Sequence, residues 1–432
     1  MPMSRSHACD PTAESPQRHG PQLHREGAVE LDLGGGFFRP ESRPSRDLGV
    51  LLAAWLARRG TGTLRVLDGM AGSGIRALRY GTEAGATSVW ANDADPDRLP
   101  LLERNLAGLS ARGVALRVTV RTVQALLAEA LIGQERFDLV DLDAFGCPAA
   151  LVPLALEAVA FDGVLYLAST DGRSPTGHDR PAAVRRLGAA ARAHPSSWEL
   201  ALRLQLGVIA RAAWALGRGV QPLFSFSEGR TFRTAVRLRR RAAPGEECRL
   251  GLLALCHGCG DQQVQSLLQL RRWAPCLCRQ APAGDPTPLA ISGPLWIGPL
   301  QNPDVLGAMA PGAAEAPMPP AEMTVSPLPA LGTLLEPASL KLLQRLQADP
   351  GTVARCWPTA EIGRRLGGGP PRLEAMIQHL RQRGHGAWAS GVMAAQLRSD
   401  APWPVLLEVA RAAQAGTLLN RFGLRSSPGH GL

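Results

Sequence analysis

An α/β fold with a doubly wound, largely parallel sheet is predicted for the first half of this 432-residue chain. A smaller α+β unit, carrying a cysteine cluster and winged-helix-like helices, is predicted for the second half. Three observations carry the first prediction. Short apolar runs alternate with helical patterns, as in repeated strand–helix–strand units. A glycine-rich turn, "DGMAGSG" (68–74), stands where one such strand meets its helix. Successive strands end in acids, "NDAD" (92–95) and "DLD" (141–143), at the rim where open α/β sheets bind ligands.

The elements follow in order. "RDLGVLLAAWLARRG" (46–60) has helical spacing of apolar positions. "TLRVLD" (63–68) reads as a strand and "IRALRYGTEAG" (75–85) as a helix closed by glycine. "SVWAND" (88–93) is a second strand, and "DRLPLLERNLAGLSARG" (97–113) a helix with Pro100 in its first turn. "LRVTV" (116–120), "TVQALLAEALIG" (122–133) and "FDLVDLDAFG" (137–146) continue as strand, helix and strand. "CPAALVPLALEAVAFDG" (147–163) reads as a helix, "VLYLAST" (164–170) as a fifth strand. A long helix (198–219) precedes an antiparallel pair, "VQPLFSFSEG" and "TFRTAVRLRRR" (220–241). Residues 301–333 are rich in Pro, Ala and Gly and read as a linker or long loop. Three helical stretches (338–349, 358–367, 371–384) and an extended "HGAWASGVMA" (385–394) make up the winged-helix-like part.

Composition narrows the function. The net charge of +10 favours a polyanionic partner. All but one of the basic residues are arginine, which suits bidentate phosphate contacts, although a GC-rich genome gives the same bias. No apolar run reaches the ~18 residues a membrane span needs, so no membrane association is expected. The N-terminal stretch lacks the apolar core of a secretory signal, which implies a cytoplasmic protein with reduced thiols.

The turn at Asp68, Gly69, Gly72 and Gly74 lets a ligand approach backbone amides. Its spacing is GxxGxG, neither a P-loop nor the GxGxxG dinucleotide fingerprint. Asp93 lies about twenty residues beyond it, where an acid bonds ribose hydroxyls. That combination implies a nucleoside cofactor and leaves a nicotinamide dinucleotide and S-adenosylmethionine both open. The strand end at Asp143 and Phe145 bears on the choice. Methylating an exocyclic amine calls for an acceptor that aligns the N–H and takes up its proton, and for a ring on which the base stacks. Hydride transfer needs neither. A Mg²⁺ pair at Asp141 and Asp143 would need further oxygen ligands, and none stands nearby. Asp141 reads as a cap for the following helix.

"CHGC" and "CLC" supply four thiols, Cys256, Cys259, Cys276 and Cys278. The set suits a structural, tetrahedral zinc site, with reduced structural thiols or a redox pair as alternatives. Cys147, after the acidic tip, reads as packing.

"VLDGMAGSGIRALRYG", "ANDADPDRLPLLERNL", "FDLVDLDAFGCPA" and "GPLWIGPL", in this order, resemble the tRNA guanine-26 N2-dimethyltransferases. So do "HREGAVELDL…FFRP…SRDLGVLLAAW" and "RQRGHGAWASGVMAAQLRSDAP", which extends the resemblance over about residues 24–405. The resemblance implies a class I, Rossmann-like methyltransferase using S-adenosylmethionine on tRNA, with no obligatory protein partner. It implies that Asp143 is the catalytic acid and Phe145 its aromatic companion, and that Arg46, Arg76 and Asp93 hold the cofactor. Gln124 stands where the family usually has an acid facing the adenine amine. Ala144 replaces the family's proline, which removes a rigidifying ring from the loop. The expected organisation is a tail (1–23), a methyltransferase domain (24–245), a tRNA-binding domain with the cysteine cluster (246–410) and a second tail (411–432). Arg345, Arg355, Arg364, Arg365, Arg372, Arg381, Arg383 and Arg398 are the expected RNA-facing cations. Alternatives are an RNA methyltransferase for another base or RNA, and a catalytically weakened tRNA-binding homologue.

Overall fold

The computed structural model describes residues 22–60, 62–276, 278, 288–312 and 331–421. The N-terminal tail and most of the expected linker lie outside the described residues.

A hairpin of β1 (Leu23–Glu26) and β2 (Val29–Asp32) opens the chain, followed by α1 (Arg43–Arg59). The expected alternation then unfolds as β3 (Arg65–Asp68), α2 (Ile75–Glu83), β4 (Ser88–Asp93), α3 (Leu99–Ala111), β5 (Ala115–Val120), α4 (Val123–Ile132), β6 (Phe137–Asp143), α5 (Val152–Ala158) and β7 (Val159–Ser169). Local signals explain the boundaries. Thr122 caps α4 by accepting from the Ala125 amide at 3.3 Å. Pro100 occupies the first turn of α3, where its missing N–H costs nothing. The helix expected to run through Gly163 ends at Ala158 instead. Val159 pairs with Phe137, and Asp162 adopts φ +65, so the strand starts early and carries an irregularity.

Helices α6 (Arg180–Leu187) and α7 (Ser197–Ala215) lead to β8 (Gly219–Glu228) and β9 (Thr231–Arg239). All seven strands from β3 onward form one sheet, in the order β5-β4-β3-β6-β7-β9-β8. Strands β3 to β7 are parallel, whereas β9 runs antiparallel to both its neighbours. The order reverses between β3 and β4 on one side and β6 on the other, so a crevice opens at the carboxyl ends of β3 and β6.

A second, antiparallel sheet joins β10 (Leu250–Cys256), β11 (Gln262–Ser266) and β12 (Leu289–Trp296). The chain then returns to the first domain. Within the expected linker lies α8 (Pro303–Met309), and beyond it come α9 (Leu331–Leu334) and α10 (Pro337–Gln347). Val305, Leu306, Met309, Leu342, Leu343 and Leu346 share one apolar core with Leu48, Leu51, Leu52 and Trp55 of α1. The winged-helix-like unit holds β13 (Cys356–Pro358), α11 (Thr359–Arg365), α12 (Leu373–Gln382), β14 (Ala387–Ala389) and β15 (Gln396–Ser399), in sheet order β13-β15-β14. Its core also takes Trp403, Leu406 and Val409 from α13 (Trp403–Arg421). Thus α10 was expected in this unit, but its apolar face is matched by α1, and α13 takes the third helical place. That helix runs past the tail boundary expected at 410. No helix among the described residues is long and apolar enough to cross a membrane.

The unit is held to the first domain by buried charge. Glu199 on α7 accepts from Arg203 at 2.8 Å and from Arg398 on β15 at 2.6 and 2.8 Å. Arg398 also reaches Asp349 at 2.8 and 3.0 Å and is wholly buried. Burial alone would raise the Glu199 carboxyl, but Arg398 and Arg203 bring it down to about 2. A depressed folded value stabilises the native state above the ordinary glutamate range, and this contribution fades as the pH falls toward 2. Arg398→Ala leaves the buried Asp349 without a cation and Glu199 with Arg203 alone, so chemical denaturation should show a loss of about 3–5 kcal/mol. The loss should shrink in acid as Glu199 protonates.

Candidate active site

A cleft of about 450 Å³ lies at the topological switch point. Its walls include Gly72, Asp93, Arg46, Arg76, Asp143 and Phe145 from the expected set, together with Phe37, Thr170 and Arg233. The glycine turn supports the cleft in two ways. Gly72 has φ +57 and open space where a Cβ would stand, so its backbone faces the cavity. Gly69 and Gly74 serve packing: a Cβ there would come within 2.5 Å of Leu142 and 3.1 Å of Leu102 respectively. Asp93 ties the turn to its own strand, accepting from the Gly72 amide at 2.8 Å and the Asp95 amide at 3.0 Å.

Four of the expected cofactor contacts, Asp68, Gly69, Gly74 and Gln124, fall elsewhere than on the cleft wall. Asp68 is fully buried beneath the turn, with one oxygen on the Ala77 amide at 3.2 Å and the other without a protein partner. Burial, reinforced by the neighbouring Asp141, pushes its carboxyl up to about 8. Gly69 and Gly74 pack behind the wall, against Leu142 and against Leu102 and Leu106. Gln124 is exposed on the first turn of α4, and its neighbour Val123 lines the cleft instead. Arg46 lines the cleft while its guanidinium is fixed by Glu26 at 2.7, 2.8 and 3.1 Å.

Asp141 and Asp143 share one face of β6, as strand periodicity requires. Asp141 is no helix cap. It is buried, accepts from the Tyr80 hydroxyl at 2.6 Å and faces Arg76 at 3.5 Å. Asp143 is about one-third exposed (36%) and holds a guanidinium on each oxygen: Arg76 at 3.2 Å and Arg233 at 2.7 Å. Burial opposes its charge, yet Arg233 and Arg76 hold the carboxyl well below the usual range. It is therefore an anion that can accept a hydrogen bond from a ligand in the cleft.

Phe145 is 74% exposed and meets Phe37, 69% exposed, edge to face at 5.6 Å. Two bare rings at a cleft mouth form a stacking platform. The loop that carries Ala144 and Phe145 is tethered at Gly146, which has φ +70. The Gly146 amide donates to Thr170 Oγ1 at 2.7 Å, and its carbonyl accepts from the Thr170 amide at 3.0 Å and from Ser169 Oγ at 3.0 Å. Phe37 and Arg233 carried no assigned role in the sequence reading. An aromatic pair beside a run of glycines, and a cation flanked by Phe232 and Thr234 in the apolar half of its strand, were the available signals.

The four cysteines converge as expected. Their Sγ atoms lie within 4.8 Å of one another, with Cys256–Cys278 at 3.8 Å and Cys259–Cys276 at 3.4 Å. A tetrahedron with Zn–S of about 2.3 Å has edges of about 3.8 Å, so the donor set fits zinc. The Asp261 amide points at Cys259 Sγ at 3.5 Å, a donor suited to thiolate charge. Burial pushes the Cys259 thiol up to about 11, a cost that a dication would reverse. His257 is exposed and outside the group. Four thiolates leave no open position, so the site's chemistry is structural.

The C-terminal arginines divide. Arg364, Arg372, Arg381 and Arg383 are exposed, Arg355 and Arg365 half-buried, and Arg398 is wholly internal. Arg345, though exposed, donates to the Gly391 carbonyl at 2.9 Å.

A sequence profile of N2,N2-dimethylguanosine tRNA methyltransferases matches residues 32–411. A tRNA (guanine(26)-N(2))-dimethyltransferase of Methanosphaerula palustris is 31% identical, covering 85% of this chain and 89% of the relative. One from Methanoregula boonei is 29% identical over 87% and 90%. The solved complex of Trm1 from Pyrococcus horikoshii with S-adenosyl-L-methionine superposes with a TM-score of 0.72 at 25% identity, covering 90% of this chain and 99% of the other.

Two measurements test the site. Thr170→Val removes the side-chain acceptor from Gly146 and should lower turnover, while cofactor affinity, read by calorimetry, holds. Cys276→Ser should abolish stoichiometric zinc in elemental analysis of the purified protein. The match over most of its length, together with the cleft at the switch point, makes the chain a member of the N2,N2-dimethylguanosine tRNA methyltransferase family.

Proposed function

We propose that this protein methylates the exocyclic N2 of guanine 26 in tRNA with S-adenosylmethionine, giving N2-methyl- and then N2,N2-dimethylguanine. The observation that carries this reading is the meeting of an anionic Asp143, two exposed rings and a glycine turn in one cleft. The cofactor supplies the electrophilic methyl group. The cleft, about 450 Å³, falls within the usual range for sites of such ligands. Asp93 faces the ribose hydroxyls, the Gly72 backbone permits close approach, and Arg46 and Arg76 close the cofactor's side of the wall.

The target amine is a poor nucleophile because its lone pair is delocalised into the purine. Asp143 accepts a hydrogen bond from the N2 proton and so turns the lone pair out of conjugation toward the donor. The same oxygen takes the proton once nitrogen carries positive charge. Phe145 and Phe37 hold the base by stacking, worth about 1–3 kcal/mol per base. Guanine 26 lies within a folded tRNA, so it has to leave its stack to enter the cleft. The exposed arginines of the winged-helix-like unit contact phosphates and position the tRNA, while the cleft reads the base. The proposed setting is the cytoplasm, where the cysteines remain reduced or metal-bound.

Nucleoside analysis of an unmodified tRNA transcript after incubation with the methyl donor should show N2-methylated guanine at position 26; methylation of another base would overturn the reading. Asp143→Asn should lower turnover by about 10²–10⁴-fold with cofactor binding retained. Phe145→Ala should weaken the use of tRNA more than of cofactor.

A further inference from the structure

We propose that Arg233 is a positioning residue for methyl transfer: with Arg76 it clamps the two oxygens of Asp143, fixing the carboxylate plane and leaving one edge of the anion free for the base. This rests on the reading of Asp143 as the acceptor of the N2 proton.

The geometry makes the case. Arg233 sits on β9, the antiparallel strand, and reaches across β7 to the tip of β6. Its Nη2 lies 2.7 Å from Asp143 Oδ1, while Arg76 Nη2 on α2 lies 3.2 Å from Oδ2. The side chain is 1% exposed, and its Nε and Nη1 have no protein hydrogen-bond partner. A guanidinium buried with donors unspent is costly. Packing alone would not select it, and its closest charge contact in the structure is Asp143. The ring of Tyr166 supports it from below, 5.2 Å away. Arg76 differs, since it is shared among Asp143, Asp141 and Ser45. Arg233 has one further ion pair, with Asp141 at 4.0 Å, too long for a hydrogen bond, so Asp143 is its one close carboxylate.

The charge has a chemical consequence. Nitrogen would gain the methyl group as the donor's sulfonium C–S bond breaks and leaves a neutral thioether, and nitrogen sheds one proton, which Asp143 accepts. A carboxylate so strongly stabilised by two cations gives that proton up to water at once, and the exposed third of Asp143 provides the exit. The site is thus reset for the second methylation without a slow deprotonation. The surrounding charged and titratable groups are Arg76 and Tyr80 on α2, Asp68 on β3, Asp141 on β6, Tyr166 on β7 and Glu228 on β8. None of the other cations in this set bonds Oδ1.

The test uses Arg233→Gln, Arg233→Lys, Asp143→Asn and the Gln/Asn double variant of the full chain with unmodified tRNA. Arg233→Gln should lower kcat by about 10²-fold, as for a misplaced reacting group. Cofactor affinity by calorimetry should stay at the parent value. Removing the cation lets Asp143 titrate nearer its ordinary range, so the acid limb of kcat should move to higher pH. Arg233→Lys keeps the charge but loses the fork; its limb should match the parent while kcat falls. In the Asp143→Asn background, Arg233→Gln should cost nothing more. A multiplicative loss there, or an unshifted limb in the Gln variant, overturns the clamp. Should the Gln variant fail to bind cofactor, the Lys variant decides: full parent kcat overturns the proposal. Asp143→Asn with parent kcat would instead overturn the acceptor role itself.

Discussion

Burial of opposite charges at the ends of β3, β6 and β9 is the constraint on which the active cleft depends. Asp68, Asp141 and Asp143 crowd one corner of the sheet, and Arg76 and Arg233 answer them. Such a cluster would be intolerable with either sign missing, because several kcal/mol per ion separate a paired buried charge from an unpaired one. The consequence is a graded series of carboxylates. Asp68, deepest and without a cation of its own, is driven toward protonation, whereas Asp143, at the rim, is held ionised. The fold thus brings a carboxyl driven toward protonation and an anion into one corner of the sheet, told apart by burial and by which of them meets the guanidinium groups.

Depth also explains what the sequence could reveal. Strand–helix alternation, the glycine turn and the acid-tipped strands are local signals, and the sheet followed from them. The cysteines were legible because metal geometry restricts spacing. The clamp on Asp143 was not, since Arg233 comes from a strand ninety positions later and its role arises only when β9 inserts antiparallel beside β7. Gln124 and Asp68 illustrate the converse: a position in the motif does not determine on which side of the wall a side chain ends. Arg398 looked like an RNA-facing cation in a basic segment, yet its alternation on β15 turns it inward to Glu199 and Asp349.

The cysteine group and the winged-helix-like unit are similarly interlocked. The Trp357 indole donates to the Gly260 carbonyl at 2.8 Å, and Gln262 bonds both the amide and the carbonyl of Cys356, at 3.1 and 2.7 Å. A metal at the four thiols would stiffen the turn through which the exposed arginines are referred to the cleft. Together with the Glu199–Arg398–Asp349 node, this leaves few soft joints between the exposed arginines of the winged-helix-like unit and the cleft.

The return of α8 and α10 to cover α1 has a corollary for how this protein can be divided. Val305, Leu306, Leu343 and Leu346 complete a core shared with α1 and with residues of the first domain as far along as Ala235. The polypeptide is consequently not a catalytic module with a detachable accessory. A cut after the seven-stranded sheet would lay bare the apolar side of α1, and any transplant of the winged-helix-like unit onto another scaffold would have to leave those two helices behind. Inheritance of the two halves as a unit is what such an intertwined hydrophobic seam would enforce.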